Sequence, residues 1–195
     1  ARCARVVTEA ARRAGAPDHL LSLVQTSAPD VSRALVEAPE IQAVAFTGSL
    51  GVGRLLFDVA ARRAQPIPFY GELGSVNPVF VGTAAAAARG EAIADGFAAS
   101  MTMGTGQFCT KPGILCLPPG DAGDRLLDRV GAQLAVRDPG PLLNAGLRAS
   151  LDTTIQRTAR ANGVREVTSA RAVPDAGFFA APPSALAFFA LRESK

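Results

Sequence analysis

The order of apolar and polar positions predicts helices and strands that alternate along most of the 195-residue chain. Helical spacing of apolar residues predicts helices over 1–14, 30–37, 49–63, 84–102, 121–136 and 146–162. Short apolar runs predict strands over 20–24, 41–46, 77–81 and 114–117. Strands that alternate with helices at this spacing favour an α/β fold with a parallel sheet. The strand over 41–46 is apolar almost throughout, which is typical of a strand covered on both faces.

The ends and faces of several predicted helices follow from particular residues. Gly15 and Pro17 end the first helix, and Asp30 is expected to cap the second, which Pro39 ends. The predicted apolar stripe of the helix over 49–63 consists of Val52, Leu56, Val59 and Ala60. Its opposite face carries a charge ladder of Arg54, Asp58 and Arg62. The predicted core positions of the helix over 84–102 are Ile93, Phe97 and Met101.

Composition excludes several classes of function. With 48% apolar and 19% charged residues the chain is globular, and no apolar run is long enough to predict a membrane span. The net charge is +3, but the arginines are mixed with acids and lack interleaved aromatics, so no nucleic-acid partner is expected. Three cysteines without a CxxC pair and a single histidine predict no metal site. Free cysteines favour a reducing, cytoplasmic compartment.

A glycine-bearing turn, Thr47-Gly-Ser-Leu-Gly-Val-Gly53, follows a predicted strand and leads into a helix. Backbone N–H groups at a helix N-terminus, beside the positive end of the helix dipole, favour a diphosphate or another anion. The turn lacks the GxGxxG spacing, and glycine-rich turns of this kind also arise from tight packing alone.

Glu72 is the one acidic residue between Asp58 and Glu91, and Gly71 and Leu73 flank it. A carboxylate in apolar surroundings resists ionisation and can serve as a general base near neutral pH. The alternative is a loop glutamate that points into solvent.

Cys109 lies at the centre of Gly104-Thr-Gly-Gln-Phe-Cys-Thr-Lys-Pro-Gly113. This density of glycine and proline predicts an irregular turn between the helix over 84–102 and the strand over 114–117. A thiol on such a loop is suited to nucleophilic attack on a small electrophile. The alternative is a small buried hydrophobic residue, which is the usual role of a lone cysteine. Cys116, inside the apolar strand, is expected to be inert.

Three segments in order resemble the aldehyde dehydrogenase superfamily: Phe46-Thr-Gly-Ser49, Gly71-Glu-Leu-Gly74 and Gly106-Gln-Phe-Cys-Thr110. The sequence of residues 69–78, with Ser75 where most members have a second glycine, is most similar to the α-ketoglutaric semialdehyde (2,5-dioxovalerate) dehydrogenase branch. Lys111 departs from that branch, in which asparagine is expected. The resemblance implies part of a Rossmann-like cofactor-binding domain, residues 1–72, followed by part of the α/β catalytic domain, residues 73–195.

The resemblance also implies a reaction. Cys109 would attack an aldehyde, which in the most similar branch is the small molecule α-ketoglutaric semialdehyde, to give a thiohemiacetal, and its backbone N–H would stabilise the oxyanion. Hydride transfer to NADP, or NAD, would leave a thioester that Glu72 hydrolyses through an activated water. The cofactor-binding positions carried over are Thr47, Gly48, Ser49, Val52, Gly53 and Leu73.

Members of this family are well over twice as long, so the resemblance implies a central fragment, and full-length relatives are expected to be homo-oligomers. The oxyanion-hole asparagine and the first half of the cofactor fold are expected upstream. Two alternatives stay open. The polypeptide is a non-catalytic remnant that acts as a scaffold or partner chain, or it is a cofactor-independent thiol esterase that uses Cys109 and Glu72.

Overall fold

The computed structural model describes residues 2–26, 28–168, 180–181 and 188–189, the last two pairs by their backbone alone. These residues belong to two compact units, 1–74 and 75–195. The sequence placed a domain boundary after residue 72, two residues earlier. Within the described ranges no helix combines the length and apolar character needed to cross a bilayer.

The first unit is built around a β–α–β crossover. Its elements are α1 (Arg2–Arg13), α2 (Pro29–Glu37), β1 (Val44–Thr47), α3 (Leu50–Arg62) and β2 (Phe69–Glu72). Strands β1 and β2 pair in parallel, with Val44 opposite Phe69 and Thr47 opposite Glu72. Because parallel strands end at the same edge, the residues that follow β1 and β2 lie side by side.

Apolar residues of α2, α3 and the two strands form the core of the first unit. The buried members are Val36, Leu56 and Ala60, and the half-buried members are Val44, Phe46, Val59, Ile67 and Phe69. Arg63, at the C-cap of α3, donates to the carbonyls of Val36 at 3.0 Å and Ile41 at 2.8 Å. Its guanidinium therefore joins α3 to α2 and to the segment before β1.

Several predictions for the first unit are wrong in detail. Residues 20–24 form no strand, and their large apolar side chains are exposed. Ala28 rather than Asp30 is the N-cap of α2, because Pro29 occupies the first turn and begins the helix earlier. Val52 is 49% exposed, so the apolar stripe of α3 is narrower than predicted. Residues of β1 alternate between half-buried and exposed, so residues 1–74 cover only one of its faces.

The second unit contains a second parallel pair and a helical core. Its elements are β3 (Pro78–Phe80), α4 (Thr83–Thr102), the 3₁₀ turn η1 (Met103–Gly106), β4 (Ile114–Cys116), α5 (Asp121–Ala135), β5 (Gly140–Pro141), α6 (Ala145–Ala159), β6 (Val164–Arg165), β7 (Ala180–Ala181) and β8 (Phe188–Phe189). Strands β3 and β4 pair in parallel, whereas β5 pairs with β7 and β6 with β8 in antiparallel fashion. The predicted helices and strands over 77–162 are confirmed, with small shifts at their ends.

The core of this unit lies where α4 packs on α5 and on the β3–β4 pair. Its buried members are Val81, Ala86, Ala94, Phe97, Ala98, Met101, Leu115, Leu126, Val130 and Leu134. The predicted core role of Phe97 and Met101 is confirmed, and Ile93 packs against them half-buried. Arg129 of α5 donates to Asp95 of α4 in a bidentate pair, at 2.8 and 3.0 Å, and this pair lowers the pKa of the Asp95 carboxyl.

We expect Leu126→Ala to lower the free energy of unfolding by about 2–5 kcal/mol, because the lost side chain leaves a cavity between α4 and α5. Leu126 is 1% exposed, whereas Leu147, the matched control in α6, is 43% exposed. Urea denaturation measures the free energy of unfolding of Leu126→Ala and of Leu147→Ala. Equal losses in the two variants would show that the α4–α5 contact is not the main core.

Candidate active site

The glycine-bearing turn after β1 and the segment that ends β2 lie together in the first unit. The N–H of Gly48 donates to the carbonyl of Glu72 at 3.1 Å, which extends the strand pairing by one residue. A methyl group on Gly53 would collide with the Leu73 side chain, so this leucine packs directly on the first turns of α3. Four predicted positions, far apart in sequence, therefore meet at one edge of the β–α–β unit.

The first turn of α3 presents unpaired donors at this edge. Ser49 is the N-cap, and its Oγ accepts the N–H of Val52 at 3.4 Å, while its carbonyl accepts the N–H of Gly53 at 2.9 Å. Within the described residues no acceptor takes the N–H groups of Leu50 and Gly51. A methyl group on Gly51 would meet no atom within 4 Å, so the approach is open. These donors and this space fit an anionic diphosphate.

The other predicted residues of the first unit differ in exposure. Gly53 is buried and Leu73 half-buried, while the exposed positions are Thr47, Gly48, Ser49, Val52 and Glu72. Glu72 stands at the last position of β2 with its side chain in solvent. The apolar surroundings expected from its neighbours in sequence are thus not formed by residues 1–74, because a strand end turns alternate side chains outward.

The loop that carries Cys109 begins with a sharp reversal after α4. Gly104, Thr105 and Gly106 have φ values of 55, 59 and 73°, all in the left-handed region. Glycine adopts this region freely, but a β-branched residue such as threonine does so only under strain. Gly140 of β5 lies so close that a methyl group there would collide with Oγ1 of Thr105. Contact with β5 thus accompanies the reversal that directs the chain toward Cys109.

Cys109 lies on the exposed side of a hydrogen-bonded turn. Its thiol is free and exposed, so the alternative of a buried hydrophobic cysteine is wrong. The N–H of Lys111 donates to the carbonyl of Phe108 at 3.1 Å. Because a trans peptide points its C=O and N–H in opposite directions, this bond turns the N–H of Cys109 away from the turn. No acceptor in the described part of the chain takes that N–H.

The segment before β3 anchors this loop, which sequence reasoning missed. Ser75 Oγ donates to the carbonyl of Cys109, and Asn77 Nδ2 donates to the same carbonyl at 2.7 Å and to that of Lys111 at 3.0 Å. The N–H of Gly113 donates to the carbonyl of Val76 at 2.7 Å. The signal available in the sequence was the Asn–Pro pair at 77–78, which marks a turn rather than the first residue of a strand.

Gln107 anchors the other side of the loop. Its Nε2 donates to the carbonyls of Gly104 at 3.1 Å and Pro141 at 3.0 Å, and its Oε1 accepts the N–H of Leu143 at 2.9 Å. The sequence indicates Gln107 only as part of a motif, whereas in the structure its amide connects the loop to the segment around β5. Cys109 therefore lies between Gln107 and Lys111, which are both hydrogen-bonded to other segments of the second unit.

Lys111, the departure noted in the sequence, lies half-buried beneath the loop. Its side chain runs along Gly106, where a methyl group would come within 3.0 Å of the lysine Cδ. Burial lowers the pKa of the Lys111 ammonium. Among the described residues, no three His, Cys, Asp or Glu side chains are grouped so that they could hold a metal ion.

Comparison with known proteins agrees with this arrangement of segments. The family model described as "Aldehyde dehydrogenase family" matches residues 1–183. Alpha-ketoglutaric semialdehyde dehydrogenase 2 of Azospirillum brasilense is 39% identical over 86% of this chain and 32% of its own length. Alpha-ketoglutaric semialdehyde dehydrogenase of Acinetobacter baylyi is 38% identical over 87% of this chain and 32% of its own length. The chain thus spans about a third of the length of these curated relatives.

Among solved structures, a variant of Bradyrhizobium japonicum proline utilization A (PutA) superposes with a TM-score of 0.78. It is 28% identical, and the match covers 93% of this chain and 19% of that protein. This similarity confirms the predicted α/β fold class.

Proposed function

The chain belongs to the aldehyde dehydrogenase family, and we propose that it supplies the nucleophile, the base and part of the cofactor site for NAD(P)-dependent oxidation of α-ketoglutaric semialdehyde to the carboxylate. One observation carries this proposal: the exposed Cys109 thiol lies beside its own unpaired N–H on an anchored loop. Acyl transfer needs a nucleophile and an oxyanion donor in this relation. The aldehyde is taken from the relatives that are 39% and 38% identical.

Cys109 performs the first covalent step. Its thiolate sulfur bonds to the aldehyde carbon, and the carbonyl oxygen of the substrate becomes the oxyanion of a thiohemiacetal. The N–H of Cys109 stabilises that oxygen. When bound, NAD(P) would supply the acceptor for the hydride that the same carbon loses. The carbon is then held as a thioester on Cys109.

Glu72 completes the proposed cycle by taking a proton from the water that attacks the thioester. The carbon–sulfur bond breaks, the carboxylate leaves, and the Cys109 thiolate is restored. Exposure of the Glu72 carboxylate within its unit leaves it free to reach a water molecule.

The cofactor contacts follow from the first unit. The free N–H groups of Leu50 and Gly51, with Thr47, Gly48 and Ser49 beside them, would hold the diphosphate, and Val52, Gly53 and Leu73 would form the adjoining wall. We propose NADP as the cofactor, with NAD as the alternative. Residues 1–72 would then be the second half of the NAD(P)-binding domain and residues 73–195 part of the catalytic domain. A cytoplasmic location and a homo-oligomeric full-length protein complete the proposal.

The test is NAD(P)H formation, followed by absorbance, when the chain is mixed with α-ketoglutaric semialdehyde and either NADP or NAD. The Glu72→Gln variant is expected to form NAD(P)H in a single burst and then to turn over about a hundredfold more slowly, because hydrolysis of the thioester lacks its base. Glu40→Gln, which alters another exposed glutamate of the first unit, is the matched control. It should behave as the unaltered chain does.

Three results would overturn parts of the proposal. Steady-state rates of Glu72→Gln equal to those of Glu40→Gln would remove Glu72 from the reaction. Ester hydrolysis that continues without NAD(P), with no NAD(P)H formed from the aldehyde, would favour the thiol esterase. If the unaltered chain is folded but shows neither NAD(P)H formation nor ester hydrolysis, the result would favour the non-catalytic scaffold.

A further inference from the structure

The parallel pairing of β3 with β4 places two lead-in segments side by side in the second unit. Residues 75–77 precede β3, and residues 109–113 precede β4. The ladder continues one step backward through the bond from the Gly113 N–H to the Val76 carbonyl. Pro112 has no N–H with which to continue it, and the carbonyls of Cys109 and Lys111, farther back in the loop, accept hydrogen bonds from side chains instead.

Asn77 is suited to this task by its backbone and its amide. It has a φ of 47°, in the left-handed region that asparagine tolerates better than most residues. In this conformation its Nδ2 reaches the carbonyls of Cys109 and Lys111 and also donates to Ser75 Oγ at 3.2 Å. Ser75 Oγ in turn donates to the Cys109 carbonyl, so the two side chains form a connected pair of donors.

We propose that Ser75 and Asn77 are positioning residues that hold the carbonyl of Cys109 so that its N–H and thiol stay aligned for attack on a carbonyl carbon. The inference rests on the proposed role of Cys109 as an acyl-transfer nucleophile. The turn bond to Phe108 orients the peptide on one side of Cys109, and the Ser75–Asn77 pair orients the peptide on the other side. Both dihedral angles of Cys109 are thereby restricted, which reduces the entropy lost on reaching the transition state.

Ser75 is the informative member of the pair. It occupies the position at which most members of the aldehyde dehydrogenase family carry glycine, and glycine has no side chain that could donate a hydrogen bond. The hydroxyl therefore adds a contact to the nucleophile loop that a glycine at this position does not make. Its effect should appear as a change in how Cys109 reacts rather than as a change in the fold, because Ser75 is exposed.

Two reagents distinguish the alignment of the Cys109 thiol and N–H from the accessibility of the thiol to small molecules. When p-nitrophenyl acetate reacts, the Cys109 thiolate bonds to the ester carbonyl carbon, a tetrahedral oxyanion forms, and p-nitrophenolate leaves to give S-acetyl-Cys109. When iodoacetamide reacts, the thiolate displaces iodide from a methylene carbon and no oxyanion forms. Only the first reaction depends on the direction of the Cys109 N–H. Neither reaction requires a dinucleotide.

The experiment measures both rate constants for Cys109 by mass spectrometry in the unaltered chain and in Ser75→Ala, Ser75→Thr, Asn77→Asp and Ser100→Ala. We expect acetylation to slow about fivefold in Ser75→Ala and about tenfold or more in Asn77→Asp, where carboxylate oxygens replace the donors. Alkylation should change less than twofold, Ser75→Thr should restore acetylation, and Ser100→Ala, an exposed serine on α4, should behave as the unaltered chain does.

Alkylation of Cys116, half-buried in β4 of the same unit, reports whether the fold is retained. Equal acetylation rates in Ser75→Ala and the unaltered chain, or a parallel fall in acetylation and alkylation, would overturn the proposal. If the acetylation effects appear in a chain that forms no NAD(P)H, the positioning role stands while the dehydrogenase proposal fails.

Discussion

Replacement of Cys109 by serine is expected to lower NAD(P)H formation from the aldehyde by about a thousandfold or more, because the step that the thiol performs has no substitute. A serine hydroxyl is almost entirely un-ionised near neutral pH and needs an adjacent base to act as a nucleophile. In the described part of the second unit, no side chain is hydrogen-bonded to the side chain at position 109. Serine would therefore keep the shape of the site and lose its chemistry.

The measurement compares initial rates of NAD(P)H formation with the appearance of an acyl adduct on the protein by mass spectrometry. Cys116→Ser is the matched control, since it makes the same change at a half-buried cysteine in β4 of the same unit. It should retain the rate and the adduct, and Cys3→Ser on exposed α1 should do so too. Turnover in Cys109→Ser at a rate close to that of Cys116→Ser would assign the nucleophile elsewhere.

The second large effect concerns stability. Gly123→Ala is expected to lower the free energy of unfolding by about 3 kcal/mol, although alanine is the better helix former by about 1 kcal/mol. Gly123 is buried in the first turns of α5, where an added methyl group would collide with the Pro118 carbonyl oxygen and lie 3.2 Å from its carbon. Backbone cannot rotate away as a flexible side chain can, so α5 must shift from the segment that follows β4.

Such a shift disturbs the core directly, because Leu126, Leu127 and Val130 of α5 are buried just beyond this glycine. Gly96→Ala is the matched control, since Gly96 is an exposed interior residue of α4 and a methyl group there would meet no atom within 4 Å. That variant should gain about 0.5–1 kcal/mol from helix propensity alone. Urea denaturation measures both, and stabilisation of both variants would contradict the close contact at Gly123.

The local hydrophobic pattern correctly predicted those elements whose formation depends mainly on their own residues. The helix predicted over 84–102 is α4, Thr83–Thr102, and the predicted core residues Phe97 and Met101 are buried in it. The hydrophobic pattern was misleading where an element needs a neighbouring strand to pair with. Residues 20–24 have the apolar run of a strand, but no strand forms there. The early start of α2 at Pro29 was readable in principle, since proline is favoured in the first turn of a helix.

The family resemblance, the order of the three motifs and the positions of Cys109 and Glu72 could be predicted from the amino-acid sequence, because each depends on a short stretch of residues. The hydrogen bonds from Ser75 and Asn77 to the carbonyl of Cys109 span 34 and 32 residues of the chain, and they became visible only in the folded chain. The same holds for the bond between Gly48 and Glu72 and for the sign of the effect at Gly123. Hydrophobic periodicity reports which face of an element is buried, but it does not report which distant backbone lies opposite a given atom. That pairing is set when parallel strands and packed helices bring the segments together.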